Sequence, residues 1–389
     1  MNNTPWPGAI SGYCSNVHAG SNLEETIANL TEHTVKVKQI VSPDEPMGVG
    51  LWLSAKSVDE LFSGNRVAAF KRFLDEKGLI PFTFNGFPYG NFHAEVVKHD
   101  VYRPDWTTQQ RFDYTVKLAN VLARLTAKGK KSSISTLPLG WPHKSTGQWP
   151  YSMAAHQLFK LVDILCDLEE TTGRRVTIAL EPEPGCVLDT AEDVISFFHD
   201  HLLGWGRDEK ISRYLGVCHD ICHSAVMLES QMDTIKGYAD AGIKIHKVHV
   251  SSAIEADFGS IAAEDRPEAL KEIQSFHEPK YLHQTCIRKG DEILFFEDLI
   301  DAIDSHEPNG LWRSHFHVPI YLDKINLLRP TQAEIIEAVR AIREYSGCGI
   351  FEIETYAWGV LPEQLKVPVL AEGIAAELNW FKETFWGRG

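Results

Sequence analysis

The sequence predicts an α/β fold: a single (β/α)8 barrel with a long insertion in its seventh βα loop. Short apolar runs rich in β-formers alternate with longer helical patterns almost from end to end. The alternation repeats eight times, which argues for a closed barrel over an open doubly wound sheet. No Gly-x-Gly-x-x-Gly or Gly-x-x-x-x-Gly-Lys-Ser/Thr loop supports the open sheet.

The expected strands are Ala9–Val17, Val49–Leu53, Ile80–Phe84, Ser133–Leu137, Val176–Glu181, Leu215–Asp220, Ile245–Val250 and Ile350–Glu354. Each is too apolar for a strand with one wet face, as buried parallel strands are. Helical patterns fill the gaps. Leu23–Val41 follows the N-capping pair Ser21-Asn22, and Val58–Lys77 stops at Gly78. Thr107–Lys128, Tyr151–Thr172, Ala191–Leu202 and Met227–Ala241 each end close to a glycine. Thr331–Tyr345 precedes Gly347, and Val367–Phe385 comes last. Ser251–Pro330 reads as an enlarged seventh βα loop with helical pieces at Pro267–Phe276 and Phe296–Ser305. Such loops lie on the active-site face of a barrel. The third βα loop, Asn85–Asp105, is also long and aromatic. No linker divides the chain, so residues 1–389 read as one barrel domain with the insertion at about 251–330.

Bulk composition narrows the function classes. A chain of 389 residues, 43% hydrophobic and 23% charged, is globular. A formal charge of -15 repels nucleic-acid backbones and anionic membranes, so no nucleic-acid partner is expected. Seven scattered cysteines form no disulfide framework and fit a reducing compartment. The opening Met1-Asn-Asn-Thr-Pro-Trp-Pro7 lacks a signal-peptide pattern, and no apolar run approaches the ~20 residues of a membrane helix. The expectation is a cytoplasmic protein without direct membrane insertion.

Four successive strands end in groups that bind metals. Strand five ends Ala-Leu-Glu181-Pro-Glu183, strand six Val-Cys-His-Asp220, strand seven Lys-Val-His249 and strand eight Phe-Glu352-Ile-Glu354. A lone acid there is more often a salt-bridge partner, and a lone histidine a hydrogen-bonded core residue. Four in consecutive units favour one divalent ion: manganese, magnesium, cobalt or zinc. Such an ion polarises a substrate carbonyl or hydroxyl while carboxylates move protons. Glu183 and Glu352 are the alternative carboxylates. His223, with His315 and His317 at alternate positions of an extended segment, forms a candidate site for a second ion, zinc, or a substrate contact. His18, Asn85, His93, His283 and Arg288 are weaker candidates for binding substrate. Tyr89, Phe92, Trp141, Trp149, Tyr356 and Trp358 either stack on a substrate or roof the barrel. Cys218 and Cys222 flank Asp220, and packing suits Cys218 better than thiolate ligation.

The segment Gly216-Val-Cys-His-Asp-Ile-Cys-His223, with Glu181 before it and His249 and Glu354-Thr355 after it, resembles the xylose isomerase-like barrel superfamily. That group holds sugar isomerases, sugar epimerases and endonuclease IV. The resemblance implies that Glu181, Asp220, His249 and Glu354 are metal ligands, and that Glu181 and Glu354 act as acid and base. It also implies a substrate contact or zinc ligand at His223. The endonuclease branch needs histidines after strands three and four, where this chain has Asn85 and Leu137-Pro138.

Asn16-Val-His18, the run Asn85 to His93, His283-Gln-Thr285 and Ile353 to Pro362 resemble the EboE barrel family of the ebo metabolite-traffic operon. That family implies a context of metabolite export, with membrane partners encoded in the same operon. The expected function is therefore metal-dependent isomerisation or epimerisation of a small polyhydroxylated metabolite. Its rivals are a multi-zinc phosphoester hydrolase and a non-catalytic metabolite carrier. An oligomer is left open.

Overall fold

The structure is a computed structural model and describes residues 6–90, 92–142 and 149–387. Asn91, in the run before His93, and the start of the N-terminal reading at residues 1–5 lie outside the described residues.

Eight parallel strands close into a barrel. They are β1 (Ile10–Cys14), β2 (Met47–Trp52), β3 (Leu79–Asn85), β4 (Lys131–Thr136), β5 (Arg175–Leu180), β6 (Leu215–Asp220) and β7 (Ile245–Val250), with a final strand at Ile350–Ile353. The last strand pairs with both β7 and β1, which closes the ring. All eight lie where the apolar runs place them, with ends shifted by three residues or fewer. The strands are buried on both faces, by apolar side chains toward the helices and in part by polar ones such as Thr83, Ser133, Ser135 and Lys247.

Helices cover the barrel. Tyr151–Thr172 ends where expected, with Gly173 in the left-handed conformation at φ 67°. The pattern read as Val58–Lys77 is two helices, Ala55–Phe62 and Val67–Glu76, because Gly64 adopts φ 71° between them. The pattern beginning at Met227 is shorter, Gln231–Asp240. A separate helix, Ile221–Val226, begins as β6 ends and was folded into no earlier expectation.

The segment between β7 and the last barrel strand holds a second sheet that the sequence reading missed. Its antiparallel strands are β8 (Ile254–Asp257), β9 (Thr285–Lys289), β10 (Glu292–Phe296), β11 (Leu311–Ser314) and β12 (Arg329–Pro330), in the order β10-β9-β11-β8-β12. The last barrel strand is accordingly β13 (Ile350–Ile353). The expected helical pieces occur as Arg266–Gln274 and Leu299–Ser305. Phe296, expected at a helix start, instead ends β10. The signal was present: Gly290-Asp291 is a two-residue hairpin turn between β9 and β10. Phe258, Phe276, Trp312 and Phe316 give this sheet its own apolar core. Among the described residues, no helix is long and apolar enough to cross a membrane.

Glycine at two strand positions allows close approach, at one of them beside the site and at the other between β1 and β2. A Cβ on Gly50 of β2 would lie 1.5 Å from Glu352 Oε1, and one on Gly12 of β1 would lie 2.3 Å from the carbonyl oxygen of Gly48. Bare backbone on this side of the barrel leaves space for the Glu352 side chain.

Candidate metal centre

Register sets the levels of the site. Asp220 of β6 pairs with His249 of β7, which pairs with Glu352 of β13. Partners in neighbouring parallel strands point to the same side, so these three share one layer inside the barrel. Glu354 follows two residues after Glu352 and belongs to the next layer up, at the rim. Glu181 is the residue after β5. Ligand atoms of Glu181, Asp220, His249 and Glu354 lie within 4.8 Å of one another, and all four residues are buried.

His249 is the hub. Its Nδ1 lies 3.0 Å from Glu181 Oε1, 3.4 Å from Asp220 Oδ2 and 3.3 Å from Glu354 Oε2. Its Nε2–H donates to Glu352 Oε2 at 2.8 Å. This separates the two glutamates of strand eight by role. Glu354 faces the centre, and Glu352 holds the imidazole from behind, as carboxylates do behind metal-bound histidines. Burial opposes a charge on His249, but Cys218, Glu181 and Glu354 outweigh it and hold the imidazole well above its usual range. The Cys218 thiol is itself pushed up to about 12 by burial, so the carboxylates carry the effect.

The remaining oxygens are committed one at a time. Asp220 Oδ1 accepts from the His223 amide (3.0 Å) and the Ser251 hydroxyl (2.7 Å). Glu354 Oε1 accepts from the amide groups of Asn16 (2.8 Å) and Asn85 (2.7 Å). Asn85, expected to touch substrate, thus holds Glu354. Glu181 Oε2 and Asp220 Oδ2 are buried and accept no hydrogen bond. Such oxygens are costly to bury without a cation. Three carboxylates and one imidazole with two unmatched oxygens fit a hard or borderline divalent ion. Burial first, then the charges of Glu181 and Asp220, push Glu354 up to about 8 against the pull of His249.

A second cluster adjoins the first. His223 Nδ1–H donates to the carbonyl of Pro182 (2.9 Å), His315 Nδ1–H to Gln284 Oε1 (2.7 Å) and His317 Nδ1–H to the carbonyl of Glu354 (2.6 Å). The tautomers follow from these acceptors, because the Gln284 amide nitrogen donates elsewhere, to Tyr102 and Glu183. His315 and His317 therefore each present Nε2 as a lone pair, whereas burial opposes a charge on His223 but Asp220 and Glu183 outweigh it and raise that ring above its usual range. His315 Nε2 and His317 Nε2 face each other at 3.2 Å. Burial and the neighbouring histidines hold His315 well below its usual range. Burial lowers His317 to about 4, so both rings are neutral near pH 7. Ligand atoms of Asp220, His223 and His317 lie within 4.8 Å, as do those of Glu183, His223 and His315.

Above these groups opens a cleft of about 530 Å3, counted out to its mouth. Glu181, Glu183, His223, His315 and Glu354 line its polar part. Of the weaker candidates, only Asn85 lines it. His18 bonds the Tyr13 hydroxyl (2.9 Å) and stacks on His33. His93 Nε2 lies 2.6 Å from the carbonyl oxygen of Asn16. His283 Nδ1 lies 3.0 Å from that of His315. These three sit behind the residues that face the centre. Arg288 is corrected: it lies exposed on β9, away from the cleft lining, because the unforeseen sheet turns it outward. Of the rim aromatics, Phe92 and Tyr356 line the cleft, while Tyr89, Trp141, Trp149 and Trp358 pack into cores. Sequence reasoning missed Asn16, Ser251, Gln284 and Tyr281 as parts of the site. Asn16 was within reach, since it follows β1 at the same rim.

Fold and site together define a (β/α)8 barrel with a buried acid-and-imidazole cluster at its mouth. Neither a family model nor a curated protein matches the sequence. Solved structures match it by fold. The IolI protein, solved with a zinc atom, aligns over 98% of this chain and 100% of its own at TM-score 0.50 and 10% identity. A xylose isomerase-like TIM barrel protein from Mycobacterium smegmatis, in complex with magnesium, aligns over 98% and 99% at TM-score 0.48 and 11% identity. A D-tagatose 3-epimerase-like protein aligns over 96% and 97% at TM-score 0.48 and 12% identity. The IolI likeness shows the fold alone, a closed (β/α)8 barrel.

Proposed function

We propose that this chain is a metal-dependent enzyme that moves a proton at a carbon of a small, oxygen-rich metabolite, in the manner of a sugar isomerase or epimerase. The observation that carries this is the convergence of Glu181, Asp220, His249 and Glu354, with two buried carboxylate oxygens left unmatched. These four residues would hold the ion. When bound, it polarises a carbonyl or hydroxyl beside the reacting carbon.

The protein's own groups do the rest. Asn16 and Asn85 fix one oxygen of Glu354 and leave the other facing the centre. Glu181 reaches the same space from β5, so two carboxylates flank one substrate position and can take and return a proton. Glu352 orients His249, and Ser251 orients Asp220. The bowl is buried at its floor, which excludes bulk water from the proton being moved.

The test has two parts. Protein purified without chelator should carry about one equivalent of manganese, magnesium, cobalt or zinc by plasma mass spectrometry. In deuterated water it should then place solvent deuterium into a ketose or a related hydroxy-ketone. Glu354→Gln should lower that exchange roughly 10²–10⁴-fold when both chains are compared at metal concentrations that load them equally. A chain that takes up no metal overturns the ligand assignment and leaves a metabolite carrier. A chain that binds metal but never exchanges a proton overturns the reaction.

The facing Nε2 atoms of His315 and His317 favour a second reading. Two lone pairs at that distance repel unless a proton or cation lies between them. A second ion, zinc by the softness of its donors, would be held by Asp220, His223 and His317, whose ligand atoms lie within 4.8 Å of one another. Two or more equivalents of zinc together with release of phosphate from phosphoesters would make the chain a hydrolase.

A further inference from the structure

The cleft changes character between floor and wall. The floor is charged, whereas most of the remaining lining is apolar: Phe87, Phe92, Val97, Val101, Tyr281 and Tyr356 belong to it. The charged groups among the described lining residues are the three floor glutamates and Lys98, whose Nζ is already paired with Asp298 at 2.9 Å. Of the wall hydroxyls, that of Tyr102 is turned to the floor and that of Tyr281 to the backbone. The former donates to Glu183 (2.7 Å), and the latter to the carbonyl of Phe92 (3.3 Å).

This wall is a built unit. Phe92 comes from the third βα loop, Tyr281 from the insertion and Tyr356 from the turn after β13. Their ring centroids lie 5.2 Å (Phe92 to Tyr281), 5.4 Å (Phe92 to Tyr356) and 5.1 Å (Tyr281 to Tyr356) apart. The amide of Val97 donates to the carbonyl of Lys280 at 2.8 Å, which ties the loop to the insertion. Tyr356 also packs against His317, with centroids 4.6 Å apart, so the aromatic wall begins directly at the polar floor.

A simple ketose carries oxygen on every carbon. Burying its far hydroxyls against such a wall would leave them without partners, at real cost. We propose that the substrate is amphiphilic: one end carries the vicinal oxygens that meet the metal centre, and the other is an apolar ring held by Phe92, Tyr281 and Tyr356. This rests on the metal-centre reading above and adds the substrate's second half.

Two hydroxamates separate the two claims, because both chelate a metal through vicinal oxygens and differ only in a methyl or a phenyl group. Acetohydroxamate binding to the metal-loaded chain, read by calorimetry, tests the centre alone. Benzohydroxamate should bind at least about tenfold more tightly, beyond the ratio the two show for the free ion, because its ring leaves water. Phe92→Ala should reduce that extra ratio severalfold and leave acetohydroxamate affinity unchanged. Equal affinities in the native chain, corrected for the free ion, overturn the amphiphilic substrate and spare the centre. Failure of both compounds to bind a metal-loaded chain overturns the centre, and the amphiphilic substrate with it.

Discussion

Lys247 and Glu352 meet at 2.5 Å inside the barrel, with neither side chain exposed. Lys247 Nζ also donates to the Ser135 hydroxyl (3.0 Å) and the carbonyl of Phe84 (3.2 Å), so its charge is well matched. Burial opposes ionisation of Glu352, but Lys247 and His249 hold it down to about 2. Breaking one partner of such a pair strands the other. Lys247→Met should therefore lower unfolding stability by about 3–5 kcal/mol, measured in urea. Adding Glu352→Gln should recover part of that loss, and the double-mutant cycle gives the coupling. At this scale the strand-end acids and imidazole were legible, because an acid ending an apolar strand stands out against its surroundings. Ser251 and Gln284 were not, because a neutral polar residue in a loop carries no such contrast. Arg288 was misread for the complementary reason: a cation near a candidate site draws notice, but only the pairing of β9 decides which way it faces.

Glu377 shows how elements are joined. It lies on the last helix, Leu370–Phe385, and is fully buried. It accepts from the Thr355 hydroxyl (2.6 Å), the Ile320 amide (3.2 Å) and Trp358 Nε1 (3.2 Å). One carboxyl thus ties the insertion, the turn after β13 and the final helix together. Burial raises it to about 7, with these hydrogen bonds opposing. The folded state therefore holds this proton more tightly than the unfolded chain does. Its contribution to stability is fully present below the ordinary glutamate range and is lost as pH rises through about 7. Across that window the stability difference between the native chain and Glu377→Gln should shift by up to about 3 kcal/mol against the native chain, read by urea unfolding at several pH values. Strands and helices of the barrel were legible as elements because their periods are long and regular. The insertion was not: its strands are short, and the helical pieces between them dominate the pattern.

Across the whole molecule, the centre gathers three carboxylates around one imidazole in a chain of formal charge -15. Without an ion, burial holds Glu354 up at about 8, and burial opposes a charge on His249 but the neighbouring carboxylates hold it well above its usual range, so a divalent cation would take the place of those protons. Binding to the folded state alone stabilises it by about 2.7 kcal/mol at a hundredfold excess over the dissociation constant. Stripping the metal with a chelator should therefore lower the thermal midpoint by a few degrees, and adding zinc or manganese should restore it. Asp220→Asn should blunt that response in the same scanning calorimetry.

The amino-acid sequence by itself determined the eight βα units, the closure they imply and the four strand-end groups. Alternation, apolar runs and capping glycines are local properties, and a parallel barrel follows from them with few alternatives. The tertiary structure alone decided which glutamate of strand eight faces the centre, because register puts Glu352 beside His249 and Glu354 one layer above. It also decided that Asn85 holds a carboxylate, that His315 and His317 face each other through Nε2, and that aromatic rings from three separate loops wall one cleft. Apart from the histidine pair, each of these joins residues far apart in the chain, and such meetings depend on how the elements pack.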